Sequence, residues 1–302
     1  MTAGGFLLRR ILLALAALSL VAAAPAKAEP VVLKPAGPWN LDVGENRCRL
    51  NRLFGEPGNQ HLLALEQHYP GSGAGLFMAG PAFKPFSSGA RTELRLFEGQ
   101  TALVSAPFTG AVEEFGPAVI YRTIRFDGET PSTETLDFLG GSGIPRLASP
   151  PAQARSITVV QGKHVVTLET GPFGGAFAAL NRCSEDLIRA WGLDLEQHRT
   201  ASRRPVWQNR EELNRRITAE FPIRLARNAG QAIYQMRVIV SPQGTVEDCQ
   251  LASVVPGEEA QSPACKRMEK ARFEPALDAA GQPMRSYYVT SLTYETNVQS
   301  FP

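Results

Sequence analysis

The sequence predicts an α+β protein. A mainly antiparallel β domain closed by a helix comes first, then a small module with a three-stranded antiparallel sheet and one packed helix. Three observations predict this. Between Trp39 and about Thr170, short apolar runs alternate with Gly, Pro and Ser clusters, the mark of strands and turns. The stretch from Phe177 to Gly192 has helical spacing instead. Beyond residue 206, two long strand-like runs, a helix-like segment and a final strand follow in order.

At the N-terminus, Arg9 and Arg10 precede an apolar-to-small run from Ile11 to Ala24, and Ala26-Lys27-Ala28 fits the small-x-small cleavage rule. A bilayer span needs about 20 apolar residues, more than this run holds before Pro25 and Lys27. Residues 1–28 therefore read as a cleaved signal peptide, with a mature chain beginning near Glu29; an uncleaved anchor is the alternative. The first cysteine is Cys48, so a lipid anchor at the signal is not expected. The remaining length, roughly 270 residues, suits two domains of about 100–200 each. We expect a lead-in at 29–38, a β-rich domain at 39–195, a linker at 196–205 and a C-terminal module at 206–297.

Within the β-rich domain, strand-like runs fall at 61–67, 76–79, 92–97, 101–106, 119–126 and 164–169. Residues 92–97 and 121–126 partly alternate polar and apolar positions, the strand period. Turn clusters such as Pro70-Gly71-Ser72-Gly73 separate the runs. A sandwich or a curved sheet is expected. Phe177, Leu180, Cys183, Leu187 and Trp191 then recur at steps of three or four on one helix face. Gly192 suits the position that stops a helix, and Trp191 reads as a core residue. The link from Leu193 to Pro205 is polar and basic, with Arg199, Arg203 and Arg204. Residues 207–214 predict a short helix.

In the C-terminal module, residues 232–240 (AIYQMRVIV) carry the β-branched Ile233, Val238 and Val240. The Ser241-Pro242-Gln243-Gly244 turn joins them to residues 245–255, giving a hairpin in which Gly244 supplies the unusual backbone angles. Ser262 and Pro263 suit the start of a helix that runs to about Ala271. It places Cys265 and Met268 inward and Lys266, Arg267 and Lys270 outward. Phe273 packs down, Pro275 ends any continuation, and in the last strand Tyr287, Val289, Ser291 and Thr293 share a face.

The order of these elements resembles the TonB C-terminal family, the periplasmic end of outer-membrane energy transducers. It is carried by Phe221-Pro222, the Gly244 hairpin, the helix, Phe273-Glu274-Pro275-Ala276, the Gly281-Gln282-Pro283 turn and the last strand up to Tyr294. The resemblance covers about residues 206–294. It implies binding: the last strand offers its edge to the TonB box of an outer-membrane receptor by β-augmentation. Arg285, Ser286, Tyr287, Tyr288, Val289 and Thr290 would line that edge. The expected partner is a TonB-dependent receptor or another envelope protein.

The resemblance stops short of the transducer's machinery. A transducer of this family keeps its first helix in the inner membrane with a polar residue, usually His. Here the run from Ile11 to Ala24 has Ser19 as its polar residue and no His. The prolines are scattered and form no Pro-rich rod; a folded domain stands in its place. The expectation is a periplasmic, non-enzymatic binding protein with no stable membrane span. The alternative is an inner-membrane-anchored energy transducer.

The cysteines Cys48, Cys183, Cys249 and Cys265 form an even set behind a signal peptide, which reads as two disulfides. Three connectivities are possible. Cys249–Cys265 is favoured because both fall inside the TonB-like region, and Cys48–Cys183 then pins the helix to the first sheet.

Other chemistries find little support. The formal net charge is +2 without a long basic run, so no nucleic-acid partner is expected. His61, His68, His164 and His198 show no metal-ligand spacing, and His61 and His68 read as surface residues. The cysteines lack C-x-x-C spacing. The Gly-Ser-Gly words at 71–73 and 141–143 lack the nucleophile-elbow form, and Gly162-Lys163 lacks the upstream glycine of a phosphate loop. Glu113-Glu114 reads as a solvated pair. No cofactor, metal or enzymatic activity is expected; a hydrolase within the β domain is the remaining alternative.

Overall fold

The structure, a computed structural model, describes residues 29–87, 89–126, 141–220, 231–253 and 264–295. The expected signal peptide, the Phe221-Pro222 pair and the Ser262-Pro263 helix start lie outside them.

Among the described residues eleven strands precede the first α-helix: β1 (Val31–Leu33), β2 (Asn40–Gly44), β3 (Arg47–Phe54), β4 (His61–Gln67), β5 (Ala74–Ala79), β6 (Thr92–Arg95), β7 (Leu103–Ser105), β8 (Phe108–Val112), β9 (Gly116–Ile124), β10 (Ile157–Gln161) and β11 (His164–Leu168). Six form an antiparallel sheet in the order β2-β3-β4-β5-β9-β8, and five form a second in the order β1-β11-β10-β6-β7. Only β1 against β11 is parallel among these pairs. The alternation of the strand period aims Leu63, Leu65, Leu76 and Met78 from the first sheet at Leu94, Ile157, Val159 and Val166 from the second, in one core. The expected β domain is thus a sandwich.

Helix α1 (Gly174–Ala190) lays Phe177, Leu180, Cys183 and Leu187 on the same core. Cys183 bonds to Cys48 in β3, with Cα atoms 5.9 Å apart. Burial on both faces of β4 corrects one expectation: His61 is not a surface residue but 1% exposed. The backbone N–H of Ala82 donates to His61 Nε2 at 3.1 Å, which leaves Nδ1–H to donate to the Asn59 carbonyl at 3.1 Å. Burial lowers the pKa of this ring, so the neutral tautomer is the resident one. Gly80 admits it: a Cβ there would stand 2.2 Å from the imidazole.

The chain continues through α2 (Leu195–Arg199), β12 (Val206–Trp207), α3 (Arg210–Ala219), β13 (Gln231–Val240), β14 (Val246–Ser253), α4 (Ala264–Met268), β15 (Phe273–Glu274), β16 (Ala276–Leu277), β17 (Pro283–Met284) and β18 (Ser286–Glu295). β14, β13 and β18 form the three-stranded antiparallel sheet in that order. One face, with Tyr234, Met236, Val238, Tyr288 and Leu292, packs on Leu213 and Ile217 of α3 and Met268 of α4. Trp207 does not begin a helix as expected. It pairs with Phe273 between β12 and β15 and stacks on that ring at 6.1 Å, and the helix starts three residues later. Cys249 of β14 bonds to Cys265 of α4.

Gly244 has φ +80°, and its carbonyl accepts the Phe273 N–H at 2.9 Å. A Cβ there would lie 2.0 Å from the Phe273 carbonyl oxygen. Gly244→Ala is therefore expected to lower stability by at least roughly 2 kcal/mol, from left-handed strain plus the forced backbone shift. An unchanged urea midpoint would refute this.

Candidate peptide-binding edge

The polar, basic link contains a short helix, α2. Asp194 caps α2 by accepting the Gln197 N–H at 3.0 Å, and Leu193, Leu195 and Ala201 are buried. Ile188, Leu193 and Leu195 pack on Ile239, Tyr287 and Val289, which belong to the face of the β14-β13-β18 sheet opposite its helices. Trp191 is only half-buried: it packs on the first domain's core, as expected, and also on the second sheet, so it bridges the two. Its ring meets Tyr287 edge-on at 5.2 Å, and the Arg237 guanidinium lies 4.9 Å from its centroid. His198 stacks on Tyr287 at 5.6 Å and holds its Nδ1 2.6 Å from the Asp194 carbonyl oxygen. Its Nε2 is buried without a partner. Burial lowers the His198 pKa, against weaker upward pulls from Asp194, and keeps the ring neutral in this contact.

This packing consumes most side chains of the expected edge. Arg285 donates from Nε to Glu247 at 2.6 Å and from Nη1 to the Gly192 carbonyl at 3.0 Å. Ser286 and Thr290 are buried, Tyr288 lies in the helix-side core, and Tyr287 and Val289 face the first domain. What β18 retains for a partner is backbone. The Ser241 N–H donates to the Thr245 carbonyl, so Ser241 bonds toward β14. Alternation along β13 then aims Val240, Val238 and Met236 at β18, opposite Ser286, Tyr288 and Thr290. The N–H and C=O of Tyr287, Val289 and Ser291 consequently point out of the sheet. Among the described residues no strand pairs with that side of β18.

A cavity of about 310 Å³ lies along this edge, bounded by Thr290 and Ser291 on one side and by Tyr121, Arg122 and Thr123 of β9 on the other. β8 pairs with β9 only as far as Ile120, and the chain from Ser105 to Phe108 turns away there toward β7. The opening is therefore shared between the two domains. Close by, Arg49 of β3 and Glu66 of β4 stand directly opposite each other. The Glu66 carboxylate accepts from Arg49 Nε at 2.6 Å and lies 2.8 Å from His68 Nε2. Burial alone raises the Glu66 carboxyl, but His68, then Arg49, outweigh it and hold the group below the usual carboxylate range. His68 is thus tied by a short contact to a buried carboxylate and is not a free surface histidine.

The interdomain contact was the part hidden from sequence reasoning. One signal was present: Tyr287, Tyr288, Val289 and Leu292 are apolar on both faces of one strand, which means cover on both faces. Among the described residues no group of three His, Cys, Asp or Glu side chains is arranged to hold a metal ion, and no helix is long and apolar enough to cross a membrane.

Residues 218–296 match the family model described as Gram-negative bacterial TonB protein C-terminal. No curated protein and no solved structure matches the chain.

Proposed function

We propose, on the premise that this is a TonB-family protein with an additional N-terminal region, that it is a non-enzymatic periplasmic protein. Its last strand, β18, receives an extended segment of an envelope protein. The observation that carries this is the row of outward N–H and C=O groups at Tyr287, Val289 and Ser291. Side-chain packing supports the same reading, since it rigidifies the strand and, among the described residues, leaves its edge open. Preorganisation of that kind reduces the ordering cost of β-augmentation. Arg285 to Thr290 remain the proposed edge positions, now through backbone more than side chains. The proposed partner is a TonB-dependent outer-membrane receptor or another envelope protein.

We place the domains at 39–195 and 206–297. Separate hydrophobic clusters on either side of the joining segment support that division. A cleaved signal peptide would free the protein from the inner membrane, and a freely diffusing protein cannot transmit force by itself. Mass spectrometry of the native N-terminus tests the location: a chain retaining Met1 in inner membrane would return the reading to an anchored energy transducer.

The edge is tested with peptides containing receptor TonB-box segments. Val289→Pro removes an outward donor and is expected to abolish binding, whereas Val289→Ala keeps the donor and loses only packing against the first domain. Equal binding by the two variants and the unmodified chain would reject the edge as the site.

A further inference from the structure

We propose that the β sandwich supplies the second wall of the binding slot and selects extended partners that carry an acidic side chain. This rests on the edge reading above and adds to it a role for the first domain. The slot runs between two strands that each lack a neighbour there among the described residues: β18 on its outer side and β9 beyond Ile120. Ser291 turns its backbone into the slot, and its Oγ donates to Gln235 Oε1 at 2.8 Å, which holds its side chain aside.

Charge decides what the slot accepts. Its lining includes two guanidinium groups, Arg122 of β9 and Arg210 at the start of α3, with hydroxyls from Ser105, Thr123 and Thr290 and no carboxylate among the described lining residues. The Arg122 guanidinium lies 5.3 Å from the Phe108 ring centroid, which places it at the slot wall. Both arginines engage other groups of the protein. A guanidinium carries five N–H donors, so one group can hold a contact within the protein and also receive a carboxylate. A strand laid against β18 projects alternate side chains to opposite faces, and one of them reaches the two arginines. The two domains share an apolar contact through Tyr287 and Val289, so the walls keep their spacing and the slot is preformed.

The test uses the mature chain and a random nine-residue peptide library displayed on phage. An enriched peptide is resynthesised with Glu, Gln or Lys at its acidic position and a photoreactive benzoylphenylalanine nearby. The Glu form is expected to bind about tenfold more tightly than the Gln form, the effect of one charge-assisted hydrogen bond. That preference should vanish in Arg122→Gln and, should that variant not fold, in the exposed Arg210→Gln. Crosslinks should reach both residues 121–123 and residues 290–291. Crosslinks confined to β18 with no Glu preference would overturn the second wall and leave the edge reading standing. Crosslinks that miss β18 altogether would remove both.

Discussion

Replacing Cys48 and Cys183 together by alanine is expected to lower the stability of the N-terminal sandwich by roughly 5 kcal/mol. The bridge closes a loop with a sequence separation of 135 residues, and in the chain-entropy model a loop that long restricts the unfolded ensemble more than a short one does. By comparison, Cys249–Cys265 spans a separation of 16, worth roughly 3 kcal/mol in the same model. Both sulfurs of the long bridge sit in the core. Losing it therefore also loosens α1 from β3. Helix α1 carries Ile188, and Trp191 follows it, so the loss should pass into the interdomain contact. Urea unfolding monitored separately at the two domains checks this. The N-terminal transition should move to lower urea and the C-terminal one much less. Coincident midpoints in the variant and the oxidised parent would refute it.

The second large effect is electrostatic. Arg49→Met is expected to cost about 3 kcal/mol at neutral pH, because it leaves the buried Glu66 carboxylate short of its permanently charged partner. His68 still reaches the carboxylate, which sets the expectation at the low end for breaking a buried pair. The pH dependence gives the sign. Glu66 in the folded parent lies below its ordinary value. Its contribution is fully present above the unfolded carboxylate range, near about pH 4.3, and is lost as pH falls through the folded value. In Arg49→Met the carboxyl loses the weaker of its two downward pulls and keeps His68, so its pKa moves up and acid removes less stabilising charge than in the parent. The gap between parent and variant should be widest near neutrality and narrow below about pH 4. A gap that stays constant across that range would show that Arg49 acts by packing alone.

Much of the secondary structure was legible in the sequence because it follows from local chemistry. Residues 61–67 and 164–169 read as strands and correspond to β4 and β11, and the spacing of Phe177, Leu180, Cys183 and Leu187 marked α1. The Gly244 turn followed from its neighbours, and the structure shows how little space it has. In the sandwich, β1, β2, β3, β8 and β10 lie outside the runs read as strands. β8 is half exposed and held by pairing with β9, so its own residues carry little pattern. The same limit hid the fate of the link: Leu193 and Leu195 are two apolar residues in a polar stretch, and only the facing Ile239 and Val289 bury them.

By itself, then, the sequence determined the two-part α+β plan, the hairpin–helix–strand order of a TonB-type C-terminal module and the presence of a strand able to serve as an edge. Each depends on side-chain period, turn residues and helix signals within a few positions of one another. Tertiary structure alone decided how that edge is presented. Trp191, expected in a core, packs on that core and also reaches across to Tyr287 and Arg237 of the second domain. Arg122 and Ser291, remote in sequence, line one opening. The physical reason is that burial and proximity are relations between distant segments, which no local pattern encodes. Those relations cover the side chains of β18, point its backbone at a cavity and set an arginine of the first domain opposite.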